Sequence, residues 1–342
     1  MPLGVPEPDV VRHADWSVNP QKRWAATARR VHDGYRVESI CPIENVLEPP
    51  DAGQRMVVGF DFPIGLPEAY ALAAGIPNFL DALQRLGTGR WAAFFEPART
   101  PAELSLERPF YPANPRPRGT VSRHQLAQGL GVPFERLRRR CEHAYASTAS
   151  EPGRRAASPI FWLVGGQQVG RAAIHGWRHV LQRALGNGRD VALWPFHGSL
   201  ETLFSTHQVT IVEAYPGEFK GHLGLGRTRW SKRSSHDRAA RGAELLGWAR
   251  RHCVDIEREL ANWVLEGCGP GPGGEDPFDA LIGVLGMINV VTGQRSAGPG
   301  KLASPSTAIE GWILGQLRSS DPSTQLPRSS ARRRAHSSEV IA

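Results

Sequence analysis

The chain has 342 residues, 40% of them hydrophobic and 22% charged, enough to bury a substantial core in one elaborated domain or two small ones. A formal charge of +8 and a pI near 9.8 favour anionic partners such as nucleic acid or nucleotides. Cys41, Cys141, Cys253 and Cys268 are scattered without a Cys-x-x-Cys pair, which argues against a zinc knuckle or disulfide framework and suits a reducing cytoplasm.

No apolar run approaches the roughly 20 residues of a membrane span. The first residues lack the basic and apolar regions of a secretory signal, so a cytoplasmic location is expected. Residues 9–16 (DVVRHADW) predict a first strand that closes on Asp15. Turns at Asn19-Pro20 and His32-Asp33-Gly34 lead into strands over 23–31 and 35–40, an antiparallel meander. Met56–Phe60 (MVVGF) is uncharged and carries adjacent valines, which predicts a strand buried on both faces. It runs into Asp61, and then Pro63, Gly65 and Pro67 stop it. An acid at the mouth of a buried strand, followed by a rigid turn, is where an open α/β sheet places its chemistry. Taken alone, Asp61 reads more simply as a cap on that turn.

Residues 69–86 have a helical period interrupted at 75–77. Residues 87–123, rich in proline, arginine and aromatics, have none and read as a functional insertion or lid. Residues 134–146 predict a basic helix exposing Arg136, Arg138, Arg139 and Arg140. A strong helical pattern follows over 167–185. Gly165, Gly166 and Gly170 at its start suit either a phosphate cradle or close helix packing. Strands over 190–196 and 208–215 flank a short helix at 199–204, and the second carries Glu213 before Pro216-Gly217. Residues 239–265 read as helical and 267–274 as a flexible link. An apolar helix over 275–292 has its acids gathered at its start, and 308–317 form a last element. Residues 318–342, with Arg332, Arg333 and Arg334, read as a disordered basic tail.

Five acids stand out. Asp15, Asp61 and Glu213 each close a strand, while Asp276 and Asp279 stand three apart at a helix start and can face the same way. Carboxylates gathered from separate elements repel one another unless a cation sits among them. Mg²⁺ or Mn²⁺ is held by one or two carboxylates each, plus waters and substrate phosphates. Two such ions about 4 Å apart activate a water and stabilise the leaving oxygen in phosphodiester cleavage.

The motifs ADWS, FDFPIGLP, EAYPGE, DPFDALIG and IEGWILG, spread over residues 10–317, resemble the family of predicted ribonuclease H-like nucleases. The resemblance implies an α/β domain over 1–317, with a ribonuclease H-like mixed five-stranded sheet flanked by helices. A large insertion, about 87–205, would lie between its fourth and fifth strands. It further implies catalytic, metal-holding roles for Asp15, for Asp61 in its Asp-x-Pro-x-Gly-x-Pro turn, for Glu213 before Tyr-Pro and for Asp279 before Ala-Leu, with Asp276 as an additional acid. The expected activity is then Mg²⁺- or Mn²⁺-dependent hydrolysis of nucleic acid.

Arg227, Arg229, Lys232, Arg233, Arg238 and Arg241, with Trp230 among them, suit either a phosphate-tracking, base-stacking surface or a solvated basic loop. His13 beside Asp15 suits proton transfer, although a strand histidine is more often half-buried structure. His252, Cys253 and Cys268 lack metal-ligand spacing and read as structural. Two other classes compete. One is a non-catalytic nucleic-acid-binding or scaffold protein on the same fold. The other is an actin-like ATPase or phosphotransferase, which wants two similar lobes, each with an Asp-x-Gly phosphate loop. ADWS and FDFPIG lack that glycine, and no half of the chain is duplicated.

Overall fold

Val10–Asp15 (β1), Trp24–Val31 (β2) and Gly34–Pro42 (β3) form the antiparallel meander, and Met56–Phe60 (β4) joins β1 in parallel. These strands are drawn from a computed structural model that describes residues 7–49, 51–114, 121–146, 153–164, 169–225, 230–299 and 306–317. The tail expected at 318–342 lies outside those residues. Val191–Leu193 (β5), Val209–Glu213 (β6) and Val254–Ile256 (β7) complete one mixed sheet in the order β5-β6-β4-β1-β2-β3-β7. The sheet therefore has seven strands rather than five, because the three-residue strands β5 and β7 extend its two edges. β7 also cuts the helix expected over 239–265 into two. Cys253, at φ 55°, turns the backbone out of the helix, and Val254 then pairs with Tyr35.

The helices are Glu68–Ala74 (α1), Phe79–Arg85 (α2), Arg123–Leu130 (α3), Val169–Gly176 (α4), Gln182–Gly186 (α5) and Leu200–Thr206 (α6). They continue with Pro216–His222 (α7), Ser235–Arg251 (α8), Arg258–Leu265 (α9), Glu275–Val291 (α10) and Thr307–Glu310 (α11). A π-helical turn, Trp177–Leu181, joins α4 to α5.

Strand parity sorts the core. Val10 and Ala14 of β1, Met56, Val58 and Phe60 of β4, and Val209 and Ile211 of β6 pack on one face, against α1, α2, α4 and the proline-rich segment. Val11, Val57 and Val212 point the other way, onto α10, whose side chains are buried from Pro277 to Val291. Close approach of α10 is set by its glycines. A Cβ at Gly283 would stand 2.1 Å from the His13 ring, and one at Gly286 would meet Phe219 at 2.1 Å. Each large aliphatic side chain buried in these two layers contributes on the order of 1.5–3 kcal/mol.

Two expectations for the insertion change. Residues 134–146 form no helix; they make two short 3₁₀ turns, Phe134–Leu137 and Arg140–Glu142, between which Arg139 is drawn inward and fully buried. The described part of 87–123 is irregular but lies in a packed layer, with Phe94, Phe110 and Tyr111 buried and cross-links such as Ala98 N–H to the Phe110 carbonyl at 2.7 Å. Gly170 serves close packing, since a Cβ there would stand 2.0 Å from the Ile160 carbonyl oxygen. Gly165 and Gly166 lie outside the described residues.

Candidate active site

β1 and β4 are parallel neighbours, so their C-terminal ends open at one edge of the sheet, where β1 finishes on Asp15 and β4 runs into Asp61. The start of α10 is aimed at the same edge and brings Asp276 and Asp279, one helical turn apart. All four aspartates line one cavity of about 870 Å³, together with Trp16, Tyr215 and the bases Lys22, Arg171, Lys220 and Lys232. The turn after Asp61 is held from behind. Gly65, at φ 132°, would place a Cβ 2.1 Å from the Glu310 carbonyl oxygen, so only glycine lets the C-terminal segment close on it.

The aspartates perturb one another. The Asp15 carboxyl is pushed well above the ordinary range by burial and by the charges of Asp61, Asp279 and Asp276, against a smaller opposing pull from Lys232. Asp61 is raised to about 6, chiefly by burial, although it accepts the Trp16 backbone N–H at 2.8 Å and a hydrogen bond from Asp15. The two carboxyls therefore share a proton near neutral pH when no cation is present. Asp276 is also raised, by burial first, with Lys22 opposing. Asp279 is ion-paired to Lys232 Nζ, and Lys220 Nζ lies 3.9 Å from its Oδ1, an oxygen that is buried without a hydrogen-bond partner among the described residues. The ammonium of Lys232 is held above its ordinary range, because the Asp279 charge and hydrogen bond outweigh burial.

Glu213 is not brought to this cavity. Its register partner is Phe60, so it points to the Phe60 face of the sheet, opposite Asp15 and α10. There its carboxylate accepts two hydrogen bonds from Arg139, at 2.7 Å each, and one from the Ile64 N–H at 2.7 Å. Arg139 also binds Glu142 at 2.8 Å. Glu310 closes the network by accepting from Arg140 N–H and Glu68 N–H. A carboxylate saturated by a buried guanidinium has no lone pair directed at an ion in the cavity, and Glu213 leaves the ligand set.

His13 is fully buried with Nε2 3.0 Å from the Ala214 carbonyl oxygen, and burial lowers it to about 4. It is a neutral spacer between β1 and α10 rather than a proton carrier. Of the expected nucleic-acid surface, Arg227 and Arg229 lie outside the described residues. Trp230 is half-buried, its edge on Phe278 and its face under Lys220, so it offers no open platform for a base. Arg233 is exposed and lies 3.5 Å from Glu275. Arg238 is fully buried and donates to the carbonyls of Gly267, Gly269 and Lys232, tying the Lys232 loop to the 267–269 link.

Sequence reasoning did not single out Lys22, Arg171, Lys220 or Tyr215. Tyr215 lies inside the Glu213 motif and Lys220 two residues beyond it, and that proximity was the one available signal. Among the described residues, no group of three or more His, Cys, Asp or Glu side chains is arranged to hold a metal ion, and no helix is long and apolar enough to cross a membrane. No protein-family model, curated protein or solved structure matches the chain, so the reading of the site rests on its own geometry.

Proposed function

We propose that the chain is a ribonuclease H-like nuclease that hydrolyses nucleic-acid phosphodiester bonds with Mg²⁺ or Mn²⁺. The observation that carries this reading is the convergence of Asp15, Asp61, Asp276 and Asp279, from two parallel strands and one late helix, on a cavity that also presents four basic side chains. Three consecutive antiparallel strands, then parallel β4 and β6, then a helix opening on aspartates support the ribonuclease H-like reading of the fold.

The donor set fits a hard cation. It is all carboxylate, two of its members share a proton for want of a positive partner, and Asp279 Oδ1 is buried and unsatisfied. Only one or two carboxylates are needed per ion, in keeping with the lack, among the described residues, of a preassembled three-ligand cluster. Asp15 and Asp61 would hold one ion, and Asp279 with Asp276 would contribute to a second. A divalent cation there supplies Lewis-acid polarisation of the phosphate and a water of lowered pKa. Lys220 and Lys232 neutralise the phosphate that enters between the aspartates, and Trp16, held by its backbone N–H on Asp61, walls the cavity. Lys232, on a loop, would be free to turn from Asp279 to the phosphate if a cation were held at that carboxylate.

The test is incubation of the purified chain with Mn²⁺ and labelled single- and double-stranded DNA and RNA. Cleavage abolished by Asp61→Asn and by Asp279→Asn is the expected result; no cleavage of any form counts against the proposal. The Lys232–Asp279 pair favours one second reading, a nucleic-acid-binding protein whose aspartates are already compensated. Salt-sensitive binding that survives Asp61→Asn, with no cleavage by the unmutated chain, selects it.

A further inference from the structure

Trp16 also walls a second cavity, of about 430 Å³. It is lined also by Arg23, His175, His179, Arg183 and Arg189, and by Glu44 and Glu48 on the opposite wall. This cavity is built from β1 outward. Arg12, buried in β1, donates to Thr27 Oγ1 at 3.1 Å and to the carbonyls of Val46 and Glu48 at 2.9 and 2.8 Å, which fixes the loop forming that wall. Arg23 donates to the Ser17 carbonyl at 2.7 Å and lies 4.5 Å above the Trp16 ring, which fixes the near wall.

Its hydrogen bonding does not close. The Trp16 indole N–H points at His175 Nδ1 at 3.2 Å, and Arg23 Nη2 lies 3.0 Å from His175 Nε2. Indole and guanidinium nitrogens only donate, and a neutral imidazole has one lone pair, so one of the two contacts sets N–H against N–H. Protonating His175 removes that last lone pair and adds a donor. In either state the cluster has more donors than acceptors. The exposed Arg183 adds to the surplus, for its side chain has no hydrogen bond or ion pair among the described residues, and the His179 ring lies tilted against that of His175, centroids 4.5 Å apart. Of the two acids, Glu48 lies 3.8 Å from Arg189, and Glu44 lines the cavity from the same loop.

We propose that this cavity is a phosphate subsite: it receives a backbone phosphate of the nucleic-acid strand next to the one held at the aspartates, and that phosphate supplies the acceptor oxygens the Trp16–Arg23–His175 cluster lacks. The strand as ligand rests on the nuclease reading above; the anion preference rests on the donor surplus alone. Because Trp16 lines both cavities, a strand occupying one is led past it into the other.

The test is binding of a fluorescein-labelled single-stranded DNA of about 12 nucleotides to the full chain in EDTA, followed by anisotropy across a salt series. Arg183→Glu is expected to weaken binding about tenfold and to lower the slope of log K against log salt by about 0.7 or more, the loss of at least one phosphate contact. Arg178→Glu, an exposed neighbour on the π turn that does not line the cavity, controls for net charge and is expected to stay within about twofold of the unmutated chain. Equal losses in the two variants, or none in either, overturn the subsite. Equal affinity for thymidine monophosphate and the oligonucleotide overturns the assignment to a strand. Because EDTA makes the measurement independent of metal, the two proposals fail separately. A chain inert with Mn²⁺ that still loses binding in Arg183→Glu refutes the nuclease reading alone, and an active chain indifferent to Arg183→Glu refutes the subsite alone.

Discussion

Asp61 and Glu213 close neighbouring parallel strands, yet one joins a cluster of acids in a cavity and the other is locked into a buried ion network. Their backbones are one register step apart, and that step sends their side chains to opposite faces of the sheet. On the Glu213 face the Arg139 guanidinium is shared by Glu213 and Glu142, and Arg140 pairs with Glu310. On the Asp61 face no cation among the described residues is ion-paired to Asp15 or Asp61, and the two are left to share a proton. An acid at a strand end is therefore structural or available according to its counter-charge, not its position.

The largest expected effect is on the closed side. Arg139→Leu leaves Glu213 and Glu142 buried without their shared counter-charge, at a cost of about 3–5 kcal/mol in a denaturant titration; a loss under about 1 kcal/mol would make the network incidental. Glu218 is a second acid of the same kind. Burial would raise it, but the His222 ring 3.6 Å away and hydrogen bonds from Arg154 and Tyr145 override that and hold it at about 2. Its contribution, about 3 kcal/mol, is full above the ordinary glutamate range and is lost as pH falls from about 4.5 to about 2. The stability gap between the unmutated chain and Glu218→Gln should close over that window.

The open side has the opposite sign. Asp61 ionises less readily in the fold than in the unfolded chain, so its charge costs stability as pH rises from about 4 to about 6. In EDTA at neutral pH, Asp61→Asn is expected to stabilise the chain by about 2 kcal/mol, since asparagine keeps an oxygen for the Trp16 N–H. A lower thermal midpoint for this variant would contradict the burial penalty on the Asp61 charge. The smallest effect is that of Lys232→Ala, which removes a half-exposed cation from Asp279 and should tighten Mn²⁺ binding about threefold in a calorimetric titration.

Much of the sheet was legible in the sequence because burial on both faces leaves a signature. The strand Met56–Phe60 is observed with the boundaries its uncharged run predicts. Asp15, Asp61, Asp276 and Asp279 were legible as acids at element ends, and the structure gathers them. Glu213 looked equivalent because it also precedes a proline-glycine breaker, and only the pairing register separates it, which no local pattern encodes. Arg139 was hidden for a related reason. Inside Arg-Leu-Arg-Arg-Arg it resembles a solvated face, and its partner lies 74 residues away in the chain. The donor-rich cavity beside Trp16 joins residues from the loop between β1 and β2, the 44–48 loop, α4, the π turn and α5, and nothing in their spacing brings them together before the chain folds.

The most direct test is a Mn²⁺ titration of the purified chain followed by electron paramagnetic resonance, with Asp61→Asn and Glu213→Gln alongside. The unmutated chain and Glu213→Gln should take up Mn²⁺ saturably, while Asp61→Asn should not. No uptake by the unmutated chain, or uptake that Glu213→Gln abolishes and Asp61→Asn preserves, would contradict a cation site on the α10 face of the sheet.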